Sequence, residues 1–206
     1  MSGLRLAILY GLKPHQLGFC GPKDKGVLLK YLQGRKISEK KIRTILKQFK
    51  GACPYYELIA KSNKIKDPFD EGVVKAYWIG NKLLEKAGGI KSHHSHHVLV
   101  VGSVTGRIKL EGKLKDLCRI GWGRVIKIKN KKLKIKYQPL KCMSFNDVQL
   151  GRAVEKEIDW DKSLVPNVKT GDWISFHWNQ AVEILTEKDV KNLEKYTKLT
   201  LKSLQK

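Results

Sequence analysis

Cysteine is scarce and scattered in this chain. Cys20, Cys53, Cys118 and Cys142 include no Cys-x-x-Cys pair, which excludes zinc-ribbon spacing, and without a secretion signal they are expected as reduced thiols rather than as a disulfide scaffold. Each is then a small buried hydrophobe or a reactive or metal-binding group. Long apolar runs are missing too. The opening stretch Leu6-Ala7-Ile8-Leu9-Tyr10 is too short to span a bilayer and no small-residue cleavage pattern follows it, so a soluble, cytoplasmic protein is expected. Acidic residues are few: 19 Asp and Glu face 42 Lys and Arg, a formal net charge of +23 whose field attracts polyanions or acidic proteins. The excess is mostly lysine, whose stems cover surface while the ammonium stays wet, so a solvated face accounts for it as well as a nucleic-acid groove does. There is no Walker loop, no Gly-x-Gly-x-x-Gly after a strand and no nucleophile elbow, and nothing points to a self-sufficient enzyme.

What is present divides the chain. The 206 residues suffice for one large or two small domains with an adequate core. Residues 1–91 read as a helical domain. Pro22 suits a first helical turn ahead of Val27, Leu28, Tyr31 and Leu32; Ser38 is placed as an N-cap before Ile42, Ile45, Leu46 and Phe49; further helices are expected over Pro54 to Ser62 and from Asp70 to Trp78. Residues 92–116 form a histidine-rich connector that leads into His97-Val98-Leu99-Val100-Val101, which reads as a strand buried on both faces. From 117 to 206 the pattern is β-rich: a hairpin turning at Asn130, strands at Cys142 to Phe145, Val148 to Lys156, Asp172 to His177 and Ala181 to Leu185, and a last helix capped by Thr186. The fold class expected is α+β, an N-terminal helical domain followed by a small OB-like β barrel with a C-terminal helix.

Two stretches of the second half carry chemistry. Leu117-Cys118-Arg119-Ile120-Gly121-Trp122-Gly123-Arg124-Val125 sets one thiol at the entry to a β segment, and Gly171-Asp172-Trp173-Ile174-Ser175-Phe176-His177 ends a strand on an imidazole. Ala181-Val182-Glu183-Ile184-Leu185 and an acidic-headed helix follow. In this order Leu117 to Lys206 resembles the HypC-type NiFe-hydrogenase maturation chaperones, with the cysteine mid-chain instead of after the initiator and Trp122-Gly123 where that family has Pro-Gly. The resemblance implies that Cys118 is a metal-carrying thiolate and His177 its imidazole partner. It further implies an iron centre, which can carry diatomic ligands, and docking on a maturation scaffold protein or the hydrogenase large subunit. The whole chain also resembles an uncharacterised prokaryotic family associated with hydrogenase genes.

Ser92-His93-His94-Ser95-His96-His97 is the other constellation. In an extended chain His94 and His96 face one side and His93 and His97 the other, and either pair suits iron, nickel or zinc, with Cys20 as a further ligand. Cys20 lies in a turn before a helix, where a helix N-terminus would lower its pKa. Trp122, Trp173 and Trp178 flank both proposed ligands as core residues or as anchors for a partner. The expected function is an assembly factor for a NiFe hydrogenase that holds iron through Cys118 and His177. The alternative is a basic RNA-binding protein using a lysine-coated barrel.

Overall fold

The computed structural model describes residues 1–24, 26–142 and 148–204, with Cys142 described by its backbone alone. The fold is α+β: helices fill the N-terminal half, a closed five-stranded barrel follows, and a helix ends the chain. Helix α1 (Gly3–Gln16) runs through the centre, buried along nearly its whole length, and Ser2 caps it by accepting from the Arg5 N–H. Around it pack α2 (Val27–Leu32), α3 (Glu39–Leu46), α4 (Cys53–Ser62) and α5 (Glu71–Trp78). Ser38 caps α3 and Asp70 caps α5, as their positions predict. Two single 3₁₀ turns, Lys82–Lys86 and Gly89–Ser92, lead to α6 (His94–His96) and α7 (Lys113–Cys118).

The barrel is built from β1 (Gly121–Lys129), β2 (Lys132–Tyr137), β5 (Val154–Asp159), β6 (Trp173–His177) and β7 (Gln180–Leu185), hydrogen-bonded in the order β1-β2-β5-β7-β6 and closed by β6 on β1. A separate small ladder joins β3 (Leu140–Cys142) to β4 (Val148–Leu150). Gly121 is required at the β6 crossing, since a Cβ there would lie 2.2 Å from the Phe176 ring. Helix α8 (Glu187–Ser203) opens on a reciprocal capping box between Thr186 and Asp189. It returns to the helical half where Tyr196 covers Gly80 and donates to the Asn81 carbonyl at 2.8 Å. One buried cluster takes in residues of α1, α4, α5, the barrel and α8, so the core crosses the helical and β-rich halves without a break.

Several expectations change. The strand read over His97 to Val101 is helical: α6 runs into a π turn at His97–Val101, ended by left-handed Gly102. His93 supplies the reason, because its Nδ1 accepts the Ser95 N–H as a cap, and Val98 and Leu99 bury against Leu201 of α8 rather than in a sheet. A short apolar run fits a buried helix as readily as a buried strand. Pro22 precedes α2 instead of entering it, since Asp24 accepts from the Gly26 and Leu28 N–H groups and starts the helix later. The strand expected over Val148 to Lys156 is two strands, divided between the small ladder and the barrel. Of the strand expected over Cys142 to Phe145, residues 143–145 lie outside the described residues.

Candidate metal centre

Cys118 ends α7 and His177 ends β6, and a single backbone bond brings the two ends together: the Trp178 N–H donates to the Leu117 carbonyl at 2.9 Å. The hairpin from β6 to β7 makes that bond available. Trp178 and Asn179 both have positive φ, 50° and 60°, so the two-residue loop has the type I′ sense that matches strand twist. A left-handed tryptophan is strained and persists only where its surroundings hold it. Here the ring is buried, 4.6 Å from Phe19 between centroids.

His177 is aimed by α1. Pro14 stands inside that helix and has no N–H to give to the carbonyl four residues back, which belongs to Tyr10. The freed Tyr10 carbonyl accepts instead from His177 Nδ1–H at 2.6 Å. That fixes the tautomer and leaves Nε2 with its lone pair buried and without a hydrogen-bond partner. A backbone carbonyl bonded to one ring nitrogen, with the lone pair left on the other, is the usual setting of a metal-ligating histidine.

A third group joins them. His94, at the start of α6, lies edge-on to His177 with ring centroids 5.3 Å apart, and Trp78 packs against both rings. Its Nε2–H donates to the Cys118 carbonyl at 2.8 Å, and Nδ1 lies 3.2 Å from the Tyr77 hydroxyl, whose own proton goes to Gly51. Donor atoms of His94, Cys118 and His177 all fall within 4.8 Å of one another, and all three residues are buried. They border an apolar-walled cavity of about 50 Å³ that Cys20 also lines. One water needs roughly 10–15 Å³ on this measure, so the space suits one ion with one or two small ligands.

Burial governs the electrostatics. It holds His177 down at about 4, against the pull of the Tyr10 and Cys118 carbonyls, and holds His94 well below the ordinary range, with His177 beside it acting in the same direction and the Cys118 carbonyl opposing. Both imidazoles are therefore neutral near neutral pH. Burial also pushes the Cys118 thiol up to about 12. The Trp178 indole N–H, which has no hydrogen-bond partner, lies near enough to the sulfur to pull the other way. A metal arriving here must displace the thiol proton. The donor set, one thiolate and two imidazoles, suits iron, cobalt, nickel or zinc.

The comparisons place the chain by sequence. It belongs to DUF6390, a family of unknown function. The family model matches residues 1–91 and 87–206. No curated protein and no solved structure matches the chain.

The sequence pair Cys118 and His177 is thus brought together at one end of the barrel, and a partner for it, His94, comes from the histidine run. The run itself separates. His93 stacks on Tyr196 at 5.4 Å, His97 packs on Tyr55 at 4.2 Å, and His96 is half-buried, so neither His94 with His96 nor His93 with His97 forms the two-faced arrangement of an extended chain. Cys20 is not activated: the nearest downstream helix begins at Val27, and burial pushes its thiol up to about 12, with Arg107 opposing. Trp122 and Trp178 are buried in the molecule itself, Trp122 beneath the Arg119 guanidinium, and neither is free to anchor a partner. Trp173 is half-buried, with Arg124 over its ring. Pro14 and Tyr10 went unread in the sequence, although a proline one turn after an apolar run is a readable signal of a freed carbonyl.

Proposed function

We propose that the chain is a metal-carrying assembly factor that holds iron on Cys118, His177 and His94 and delivers it to a NiFe-hydrogenase large subunit or its maturation scaffold. Iron is the cargo of this reading, and the hydrogenase comes from the resemblance of the second half to the HypC-type chaperones. The observation that carries it is the convergence of Cys118 and His177, from motifs about fifty residues apart, on one buried cluster with a further imidazole. In a tetrahedral site thiolate and imidazole donors sit about 3.6 Å apart, so the cluster needs to contract by roughly 1 Å. His177 presents its lone pair already. His94 has to release the Cys118 carbonyl, or turn, to ligate, which makes it the more labile ligand and suits a site that must let its cargo go.

The test is protein isolated without oxygen from a hydrogenase-producing host. Iron near one per chain, with infrared bands of diatomic ligands, is expected in the wild type and absent from Cys118→Ala and His177→Ala, which should remain folded and leave the host's hydrogenase inactive. Normal hydrogenase activity supported by the double variant sinks the reading.

A further inference from the structure

A buried site with apolar walls has an entry problem. A hydrated divalent ion cannot cross an apolar lining without losing water ligands, and that loss is costly unless another donor replaces them on the way. Among the described residues, those that line the cavity of His94, Cys118 and His177 and are partly exposed are Phe19, Cys20, Val104, Thr105 and Ile108. Of these, Cys20 alone carries a soft donor. Cys20 also lines a second space, an open cleft of about 550 Å³ bordered by His15, Lys23, Asp24 and Arg107. One residue with a soft donor therefore borders both the open cleft and the cavity of the buried donors.

The loop that carries it is held from both sides. The Arg107 guanidinium donates to the Gly21 carbonyl at 2.8 Å, the Thr105 hydroxyl donates to the Phe19 carbonyl at 3.1 Å, and Phe19 packs on Trp178, next to His177. In the cleft, His15 bridges the Cys20 carbonyl at 3.1 Å and the Asp24 carboxylate at 3.0 Å. The backbone on either side of Cys20 is thus held at the boundary by groups outside the cluster, and the thiol itself points toward the Gly11 carbonyl of α1 at 3.9 Å.

We propose that Cys20 is the entry thiol, which takes a metal ion from the open cleft and passes it to Cys118, without being a resident ligand of the final site. This rests on the metal-carrying reading. In the first step the Cys20 sulfur replaces a water on the ion and its thiol proton leaves to cleft water. In the second, the metal–sulfur bond moves to Cys118, whose proton returns to Cys20. One proton is released per ion overall, and no oxidation state changes. Cys20 is again a thiol when the site is full.

Cobalt(II) added to the full-length, metal-free protein under anaerobic conditions is the probe, followed by its thiolate charge-transfer band. Cys20→Ser and Cys20→Ala should keep the equilibrium affinity to within about 3-fold, yet slow both uptake and release to a chelator by about 10-fold or more, since a gate changes both directions equally. Cys118→Ser should lose the band. Iodoacetamide should alkylate Cys20 in the metal-free native protein well before Cys118. Wild-type uptake rates in both Cys20 variants overturn the gate while leaving the metal site standing, and so does equal alkylation of Cys118. A loss of affinity in Cys20→Ser as large as that in Cys118→Ser makes Cys20 a resident ligand and also overturns it. If the wild type takes up no cobalt at all, the metal-carrying reading falls and the gate with it.

Discussion

Pro14 interrupts α1 one turn after Tyr10, and a missing N–H in one helix thereby sets the tautomer of an imidazole in a distant strand. Pro14→Ala would supply the N–H that the Tyr10 carbonyl lacks and make it compete with His177. Proline inside a helix costs about 3 kcal/mol, so the variant should fold at least as stably as the wild type. Its metal affinity should nevertheless fall by about 10-fold, the low end of what outer-shell partners contribute. Anaerobic cobalt titration beside a thermal melt reads both quantities; unchanged affinity would show that the Tyr10 carbonyl does not aim His177. Cys118 and His177 were legible in the sequence because each closes a short motif of recognisable order. His94 was legible only as one of a run, because choosing among four neighbouring histidines requires knowing which direction each side chain leaves the backbone. The Tyr10 carbonyl is legible only as one that Pro14 frees; which group it meets is not, since a backbone acceptor carries no mark of its partner.

The element that sequence reading placed worst, α6 with its π turn, is also the one with the plainest titration behaviour. His97 packs against Tyr55 and Tyr77 with His96 beside it, and burial holds its pKa at about 4, His96 adding to the depression and a backbone bond opposing it. A histidine depressed in the folded state stabilises the fold above its unfolded value near 6.5, and that contribution is lost as pH falls from there through about 4. A shift of this size corresponds to at most about 3 kcal/mol. His97→Phe keeps a ring in the packing and removes the proton site. The metal-free wild type should therefore lose up to about 3 kcal/mol relative to His97→Phe between pH 7 and pH 4, read from urea midpoints. Parallel pH profiles for the two proteins would refute it. By contrast α3, α5 and α8 were legible to their caps, because Ser38, Asp70 and Thr186 act locally through their own side chains. The barrel strands showed through their alternation. The run His97 to Val101 has no alternation and no local breaker before Gly102, so its conformation is decided by what buries it, chiefly α7 and α8, and no reading of those residues alone recovers that.

At the scale of the whole molecule the charge of +23 asks for a partner, and part of the barrel's share of it is paired within the sheet. Strand β5 sets Asp159, Glu157 and Glu155 opposite Lys132, Lys134 and Lys136 of β2, and Lys132 and Lys134 make ion pairs with Asp159 and Glu155. Part of the barrel's basic face is thus charge-paired, while Lys127 and Lys129 of β1 face Lys134 and Lys132 across the ladder. The remaining lysines are spread over the helices, a distribution that attracts phosphate without registering it. Single-stranded RNA should therefore bind in the non-specific range of roughly 10⁻⁴ to 10⁻⁶ M at physiological salt, with a log–log salt slope of about −0.7 for each phosphate contacted. Because that attraction belongs to the surface and the cluster of His94, Cys118 and His177 is buried, Cys118→Ala and His177→Ala should leave both affinity and slope unchanged. Fluorescence anisotropy of a labelled oligonucleotide at low and physiological salt measures this directly. Tight, sequence-selective binding that survives at physiological salt would make RNA the partner and the metal cluster secondary, and a slope near zero would show that the excess charge meets no phosphate at all.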